Sequence, residues 1–296
     1  MFSKRMSIAW LGLAVCAFAP VFLQAADVTA PPAQQFPIPP QGFDETRLGI
    51  AAGKLELVQY DAKAIAPDVK RPAQIYTPPG YAKTRKYPVL YLIHGLGQDE
   101  QAWTRDGKAN VILDNLIADK KIVPMIVVFP NGSVTGGGGV AAGSSFETDL
   151  LKDLIPYVES HYSTIAEPQH RALAGLSMGG MQTKAIAPAN SDKFAYFGVF
   201  SGGNISPTVD VTDMGAFQKN VKLVYMSFGS REPSNARGAS NLPSGPVGIQ
   251  REAEAFNRLG VRAIYYVSPD SAHDFTSWKR SLYYFSQELF RDLAKP

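Results

Sequence analysis

Two runs of the chain, Pro88–Ile93 (P-V-L-Y-L-I) and Met125–Phe129 (M-I-V-V-F), are almost free of polar side chains, and they constrain the fold more than any other feature. A strand that meets water on one face alternates apolar and polar residues, whereas a strand without a polar face must be covered on both sides. Asn110–Lys120, between the two runs, sets Val111, Leu113, Leu116 and Ile117 at helical spacing and supplies one such cover. The pattern continues downstream. Phe146–Tyr162 reads as a helix with Leu150, Leu151, Leu154, Ile155 and Val158 on one face, and Glu147 and Asp149 suit the positive end of its dipole. Strands follow at His170–Leu176, Ala195–Ser201, Lys222–Phe228 and Arg262–Val267, with helices at Met178–Ala187, Val247–Leu259 and Phe275–Leu293. Upstream, Lys54–Tyr60 alternates as a half-buried strand, and Ala73–Thr77 reads as its antiparallel partner, stopped by Pro78-Pro79-Gly80. Such alternation predicts an α/β fold with a mostly parallel central sheet flanked by helices on both faces.

The amino terminus has a different character. Lys4 and Arg5 precede an uncharged apolar stretch, Ile8–Leu23, and then Gln24-Ala25-Ala26-Asp27. A short basic region, an apolar core and small residues describe a secretory signal peptide, and the core falls short of the roughly 20 residues of a membrane span. Residues 1–25 are therefore expected to be removed, leaving a periplasmic or secreted protein without stable membrane association. The lone cysteine, Cys16, lies in that segment and follows Val15 rather than the small residue of a lipoprotein signal. The mature chain would thus lack thiol catalysis, disulfides and cysteine metal sites. Residues 26–48 carry Pro31, Pro32, Pro37, Pro39 and Pro40 and read as an extended leader, lying on the domain surface or loose, ahead of a catalytic domain at 49–296. The chain has 29 Lys and Arg against 26 Asp and Glu; removing residues 1–25 takes away Lys4 and Arg5 and no acid, so the charge falls to near +1. That balance gives no electrostatic reason to expect nucleic acid or an anionic membrane as partner. The glycine run 136–139 reads as a flexible loop and lacks the Lys-Ser or Lys-Thr of a phosphate loop.

Chemistry is concentrated at Gly175-Leu176-Ser177-Met178-Gly179. G-x-S-x-G between a strand and a helix is a nucleophile elbow, in which two glycines permit a tight turn that lifts the serine above the strand's carboxyl end. It narrows the α/β expectation to an α/β-hydrolase with Ser177 as nucleophile. A serine hydroxyl needs a base, and in this fold the chain order is nucleophile, acid, histidine. Of the four histidines only His273 follows Ser177, in a loop beyond the strand Arg262–Val267. The acid should stand just past a strand's carboxyl end. Glu232, four residues beyond Phe228, meets that rule, with Asp210 and Asp213 as alternatives; Glu252 and Glu254 fall on a helix, and Asp270 is too close to His273. The oxyanion of a tetrahedral intermediate needs donors. Met178 N–H is one, and Leu96 N–H in Ile93-His94-Gly95-Leu96-Gly97 is the other, with Gly95 N–H its neighbour; His94 reads as structural. Trp103 is either a wall of the acyl pocket or a packing residue, and Trp278 reads as packing that fixes the histidine loop. Asn131 and Asn204, on loops at strand carboxyl ends, are candidate substrate contacts.

Together Y-L-I-H-G-L-G-Q-D-E-Q-A-W, M-I-V-V-F-P-N-G, A-L-A-G-L-S-M-G-G and H-D-F-T-S-W resemble the Putative esterase family, in the family's order and over roughly Gly49–Phe290. That family includes feruloyl esterases, acetyl xylan esterases, esterase D and the mycolyltransferases. The resemblance is strongest to the bacterial feruloyl and acetyl xylan esterases of carbohydrate esterase family 1. It implies hydrolysis of feruloyl or acetyl esters on plant cell-wall polysaccharide or oligosaccharide, without metal or organic cofactor. It also implies Ser177 as nucleophile, His273 as base, and Leu96 with Met178 as oxyanion donors. Glu232 departs from the aspartate usual in the family. The same machinery would serve a siderophore ester, a small acyl thioester or acyl transfer, and an inactive binding protein would have no need of it.

Overall fold

A computed structural model of the chain describes residues 36–133, 140–233 and 245–294. The expected signal peptide, the first part of the Pro-rich leader, Cys16 and the glycine run 136–139 lie outside the described residues. Among the described residues eight strands form one sheet: β1 (Lys54–Asp61), β2 (Lys70–Thr77), β3 (Val89–Ile93), β4 (Ile126–Pro130), β5 (Arg171–Leu176), β6 (Tyr196–Phe200), β7 (Leu223–Gly229) and β8 (Ala263–Ser268). Their order is β1-β2-β4-β3-β5-β6-β7-β8, with β2 antiparallel to both neighbours and every other pair parallel. This is the α/β-hydrolase arrangement.

The unbroken apolar strands follow from two cores. On β3, Val89, Tyr91 and Ile93 join one core while Leu90 and Leu92 join the other, so both faces of the pleat are dry. The first core is closed by α3 (Val140–Asp149), α4 (Ile155–His161), α5 (Met178–Ile186), α6 (Met214–Asn220) and α7 (Pro246–Arg258). The second is closed by α1 (Ala102–Arg105), α2 (Ala109–Ala118) and α8 (Phe275–Glu288). Between α3 and α4 the expected single helix widens into a π-helical stretch, Leu150–Leu154. Pro156 stands just beyond it and lacks the N–H that a regular helix would need there.

The described part of the leader lies on the surface, strapped across α8 and α2. Phe36 stacks on Tyr284 with ring centroids 4.4 Å apart, and Tyr284 Oη donates to Pro37 O at 2.8 Å. Asn115 Nδ2 donates to the carbonyls of Phe43 and Glu45. Ion pairs Lys279–Asp44 and Arg47–Asp119 hold the same stretch. Packing therefore begins by Phe36, ahead of the boundary expected at residue 49.

The order also positions the site. β3 lies between β4 and β5, so the chain leaves β3 toward one side and returns for β5 on the other. Loops diverge at such a point and leave a crevice at the strands' carboxyl ends. The loops after β3, β4 and β5 all open there.

Candidate active site

Ser177 follows β5 directly, with φ +51° and ψ −113°, a conformation rare for any residue with a side chain. Neighbouring glycines make room for it. A Cβ on Gly175 would come within 2.4 Å of the Gly179 carbonyl carbon, and one on Gly179 within 2.6 Å of the Ile93 and His94 carbonyl oxygens. Ser177 N–H donates to Phe200 O at 2.8 Å, and Gly179 N–H donates to His94 O at 3.1 Å. The elbow is thus pinned to β6 and to the end of β3, with α5 starting immediately behind the serine.

Ser177 Oγ lies 2.8 Å from His273 Nε2, and His273 Nδ1 lies 2.8 Å from Glu232 Oε2. A carboxylate only accepts, so Nδ1 carries the proton and Nε2 is free to accept from the serine. The imidazole is half exposed toward solvent, whereas the Glu232 side chain is only 4% exposed. Asp210 and Asp213 are engaged elsewhere: Asp210 Oδ2 accepts Ser206 N–H at 2.7 Å and faces Lys184, and Asp213 caps α6 by accepting Ala216 N–H. Asp270 is exposed and paired with Arg231. Of the acids weighed, Glu232 alone faces His273.

Glu232 is itself held. Its Oε1 accepts Gly229 N–H at 2.7 Å and Ser201 Oγ–H at 2.7 Å. Trp278 Nε1–H donates to Ser201 Oγ at 2.9 Å, and its ring meets His273 edge-to-face at 5.1 Å. The packing expected of Trp278 is present, together with a hydrogen bond that spacing along the chain does not signal. Ser201 was not among the expected site residues; its only cue is its place at the carboxyl end of β6 in F-S-G-G.

On the other side of Ser177, a Cβ on Gly95 would lie 3.4 Å from Ser177 Cβ, so the loop after β3 reaches the serine. Gly95 N–H is already spent on Gln98 Oε1 at 2.8 Å. Among the described residues no protein acceptor faces the N–H of Leu96 or of Met178, the two amides expected as oxyanion donors. The Leu96 side chain is 82% exposed.

The loop after β4 is clamped residue by residue. Gly132 N–H donates to His94 Nε2 at 3.0 Å, and Gly132 O accepts Gln182 Nε2 at 2.9 Å. Arg71, paired with buried Asp149, donates to the carbonyls of Asn131 and Ser133. His94 Nδ1–H donates to Gly95 O at 2.7 Å, so the ring is neutral and structural, and burial pushes its protonation below the ordinary histidine range.

Trp103 and Asn131 both spend their polar groups within the protein. Trp103 is 1% exposed, donates Nε1–H to Ile93 O at 3.0 Å, and packs edge-on against Phe200 and Phe275. It is a packing residue beneath the loop. Asn131 donates its amide N–H to Glu100 Oε2 in the loop after β3 and accepts Ser133 N–H in its own loop, each at 3.0 Å. Asn204 lies just past β6 and is buried, which leaves little of its surface for a ligand.

A family model described as Putative esterase matches residues 65–289. The chain is 36% identical over 266 residues to an endo-1,4-beta-xylanase/feruloyl esterase of Xylanibacter ruminicola, across 87% of this chain and 34% of that protein. It is 29% identical over 218 residues to Esterase Rv1288 of Mycobacterium tuberculosis, across 70% of this chain and 45% of that one. The chain therefore spans less than half the length of these relatives. Among solved structures, a ferulic acid esterase from Anaeromyces mucronatus superposes with a TM-score of 0.71 at 22% identity, covering 88% of this chain and 99% of that one. The feruloyl esterase module of Clostridium thermocellum, complexed with sinapinate, gives 0.69 at 24% identity, covering 89% and 96%. At these identities the structural likeness is one of fold.

Proposed function

The chain belongs to the Putative esterase family, and from that premise we propose that it is a secreted serine carboxylic-ester hydrolase that removes feruloyl or acetyl groups from plant cell-wall polysaccharide or its oligosaccharides. The observation that carries this reading is the unbroken hydrogen-bonded line from Ser177 Oγ through His273 to Glu232. The feruloyl esterase named among its relatives supports the substrate class. The basic and apolar segments at the amino terminus support secretion.

In this reading Ser177 Oγ attacks the ester carbonyl carbon as its proton passes to His273 Nε2. Glu232 keeps the proton on Nδ1, holding the working tautomer, and stabilises the imidazolium that forms. The carbonyl oxygen becomes an oxyanion before the N–H groups of Leu96 and Met178, at the positive end of α5. His273 then gives its proton to the departing sugar oxygen, the C–O bond breaks, and the acyl group stays on Ser177. A water molecule, deprotonated by His273, attacks the acyl carbon, releasing the free acid and restoring the serine.

The test is turnover of methyl ferulate, acetylated xylo-oligosaccharide and a long-chain acyl ester by wild type and by Ser177→Ala. Wild type should release free ferulate or acetate and form a fluorophosphonate adduct on Ser177. The alanine variant, folded by circular dichroism, should lose at least about four orders of magnitude in kcat. Near-normal turnover by Ser177→Ala would overturn the mechanism, and activity confined to the long-chain ester would overturn the substrate class.

A further inference from the structure

Ser201 combines two features that oppose each other unless its hydroxyl is needed. Its backbone is left-handed, φ +52°, a conformation that favours glycine. Glycine fills the next two positions, Gly202 and Gly203, yet the residue that takes this conformation here carries a side chain. The backbone is fixed by Ser201 N–H donating to Ser227 O at 2.8 Å, and the residue is 8% exposed. Its Oγ therefore points along one direction, between Trp278 and Glu232.

The order of hydrogen bonds follows from the donor inventory. An indole N–H only donates, and a carboxylate only accepts. Trp278 Nε1–H, 2.9 Å from Ser201 Oγ, occupies a lone pair of that oxygen, so the single hydroxyl proton goes to Glu232 Oε1 at 2.7 Å. With Gly229 N–H on the same oxygen and His273 Nδ1–H on the other, both carboxylate oxygens are directed.

We propose that Ser201 is a positioning residue for the acid: its hydroxyl, oriented by Trp278, fixes the Glu232 carboxylate in the rotamer that faces His273. This rests on the reading of Glu232 and His273 given above. Glutamate has one more rotatable bond than aspartate, so its carboxylate has more freedom to lose. A directed donor on the far oxygen removes that freedom. The hydroxyl of Ser201 bonds to Glu232 and Trp278 and not to Ser177 or His273, so its effect should run wholly through Glu232.

The test is a double-mutant cycle of Ser201→Gly and Glu232→Gln on a small soluble ester, with Trp278→Phe alongside. Glycine suits the left-handed backbone, so Ser201→Gly should keep its melting temperature. It should lower kcat about 10- to 100-fold, as expected for a bond to a charged group, with KM changed less than about 2-fold. In the Glu232→Gln background, adding Ser201→Gly should change kcat less than about 2-fold. Trp278→Phe keeps a ring against His273 but drops the indole donor, and should cost about 3-fold in kcat at constant KM. Full turnover by Ser201→Gly beside a dead Glu232→Gln would overturn the positioning role and leave the acid standing. Multiplicative losses in the cycle would reduce Ser201 to a structural part. Normal turnover by Glu232→Gln would instead overturn the acid assignment, and the role of Ser201 with it.

Discussion

The two sides of Ser177 are built on different principles. On the His273 side, side chains hold one another by directed hydrogen bonds from Trp278 through Ser201 and Glu232 to the imidazole. On the side proposed to hold the oxyanion the groups are backbone amides, and what places them is the absence of side chains at Gly95 and Gly179 together with a buried clamp of His94 and Gln182 on Gly132. The first side should be sensitive to the chemical identity of a residue. The second should be sensitive to volume and to anything that disturbs the clamp, and indifferent to exposed side chains. Exchanging one residue at a time on each side can break that contrast.

The largest expected effect is on the His273 side. Glu232→Gln keeps the shape of the side chain but removes the charge that stabilises imidazolium and the preference for the Nδ1–H tautomer. It should lower kcat by up to about four orders of magnitude with KM little changed. Asp210→Asn and Asp213→Asn, at residues that serve a turn and a helix cap, should retain most activity. Steady-state kinetics at equal folded concentration decide it. A dead aspartate variant beside an active Glu232→Gln would move the acid to the loop after β6.

A smaller effect is expected at the clamp, and it depends on pH. Burial lowers the protonation of His94 in the folded chain below the ordinary value of 6.5. Below that value the unfolded chain takes up the proton first. The stability that neutral His94 contributes is therefore complete above about pH 6.5 and is drawn down as pH falls toward the folded value. His94→Gln can still accept Gly132 N–H but does not titrate. The wild type should lose more stability than the variant between about pH 7.5 and 5.5, by roughly 1 kcal/mol, read from urea midpoints. Parallel pH slopes would show that His94 does not titrate on unfolding.

What the sequence discloses follows the same divide. The elbow was legible because its chemistry is local: two glycines, a strand before and a helix after. His273 was legible because order along the chain left a single histidine. Glu232 was legible as a rule about strand ends, and its contact with His273, 41 residues away, needed the register of β7 and β8. Ser201 was not legible, because its partners lie 31 and 77 residues along the chain and its left-handed backbone leaves no mark in composition. Trp103 was ambiguous because a tryptophan beside a site reads the same whether it lines the pocket or props the loop from below. The short helices α1 and α6 were missed for a simpler reason: four and seven residues are too few to show a periodic stripe.

The smallest expected effect is at Leu96, and it tests the oxyanion side most sharply. Its proposed part in catalysis is an N–H, which Leu96→Ala leaves in place, while its side chain is 82% exposed and supports no packing. On an acetyl ester, too small to reach across the loop, kcat should stay within about 2-fold of wild type. A feruloyl ring lying against the loop would cover part of that exposed side chain. Full burial of a leucine is worth about 1.5–3 kcal/mol, so partial cover should be worth about 1 kcal/mol, a rise in KM of about 5-fold for the feruloyl ester alone. Equal KM values for both proteins would place the acyl ring away from this loop. A loss of two orders of magnitude on the acetyl ester would mean that the side chain, and not the glycines around it, organises the amides, and the contrast between the two sides of Ser177 would fail.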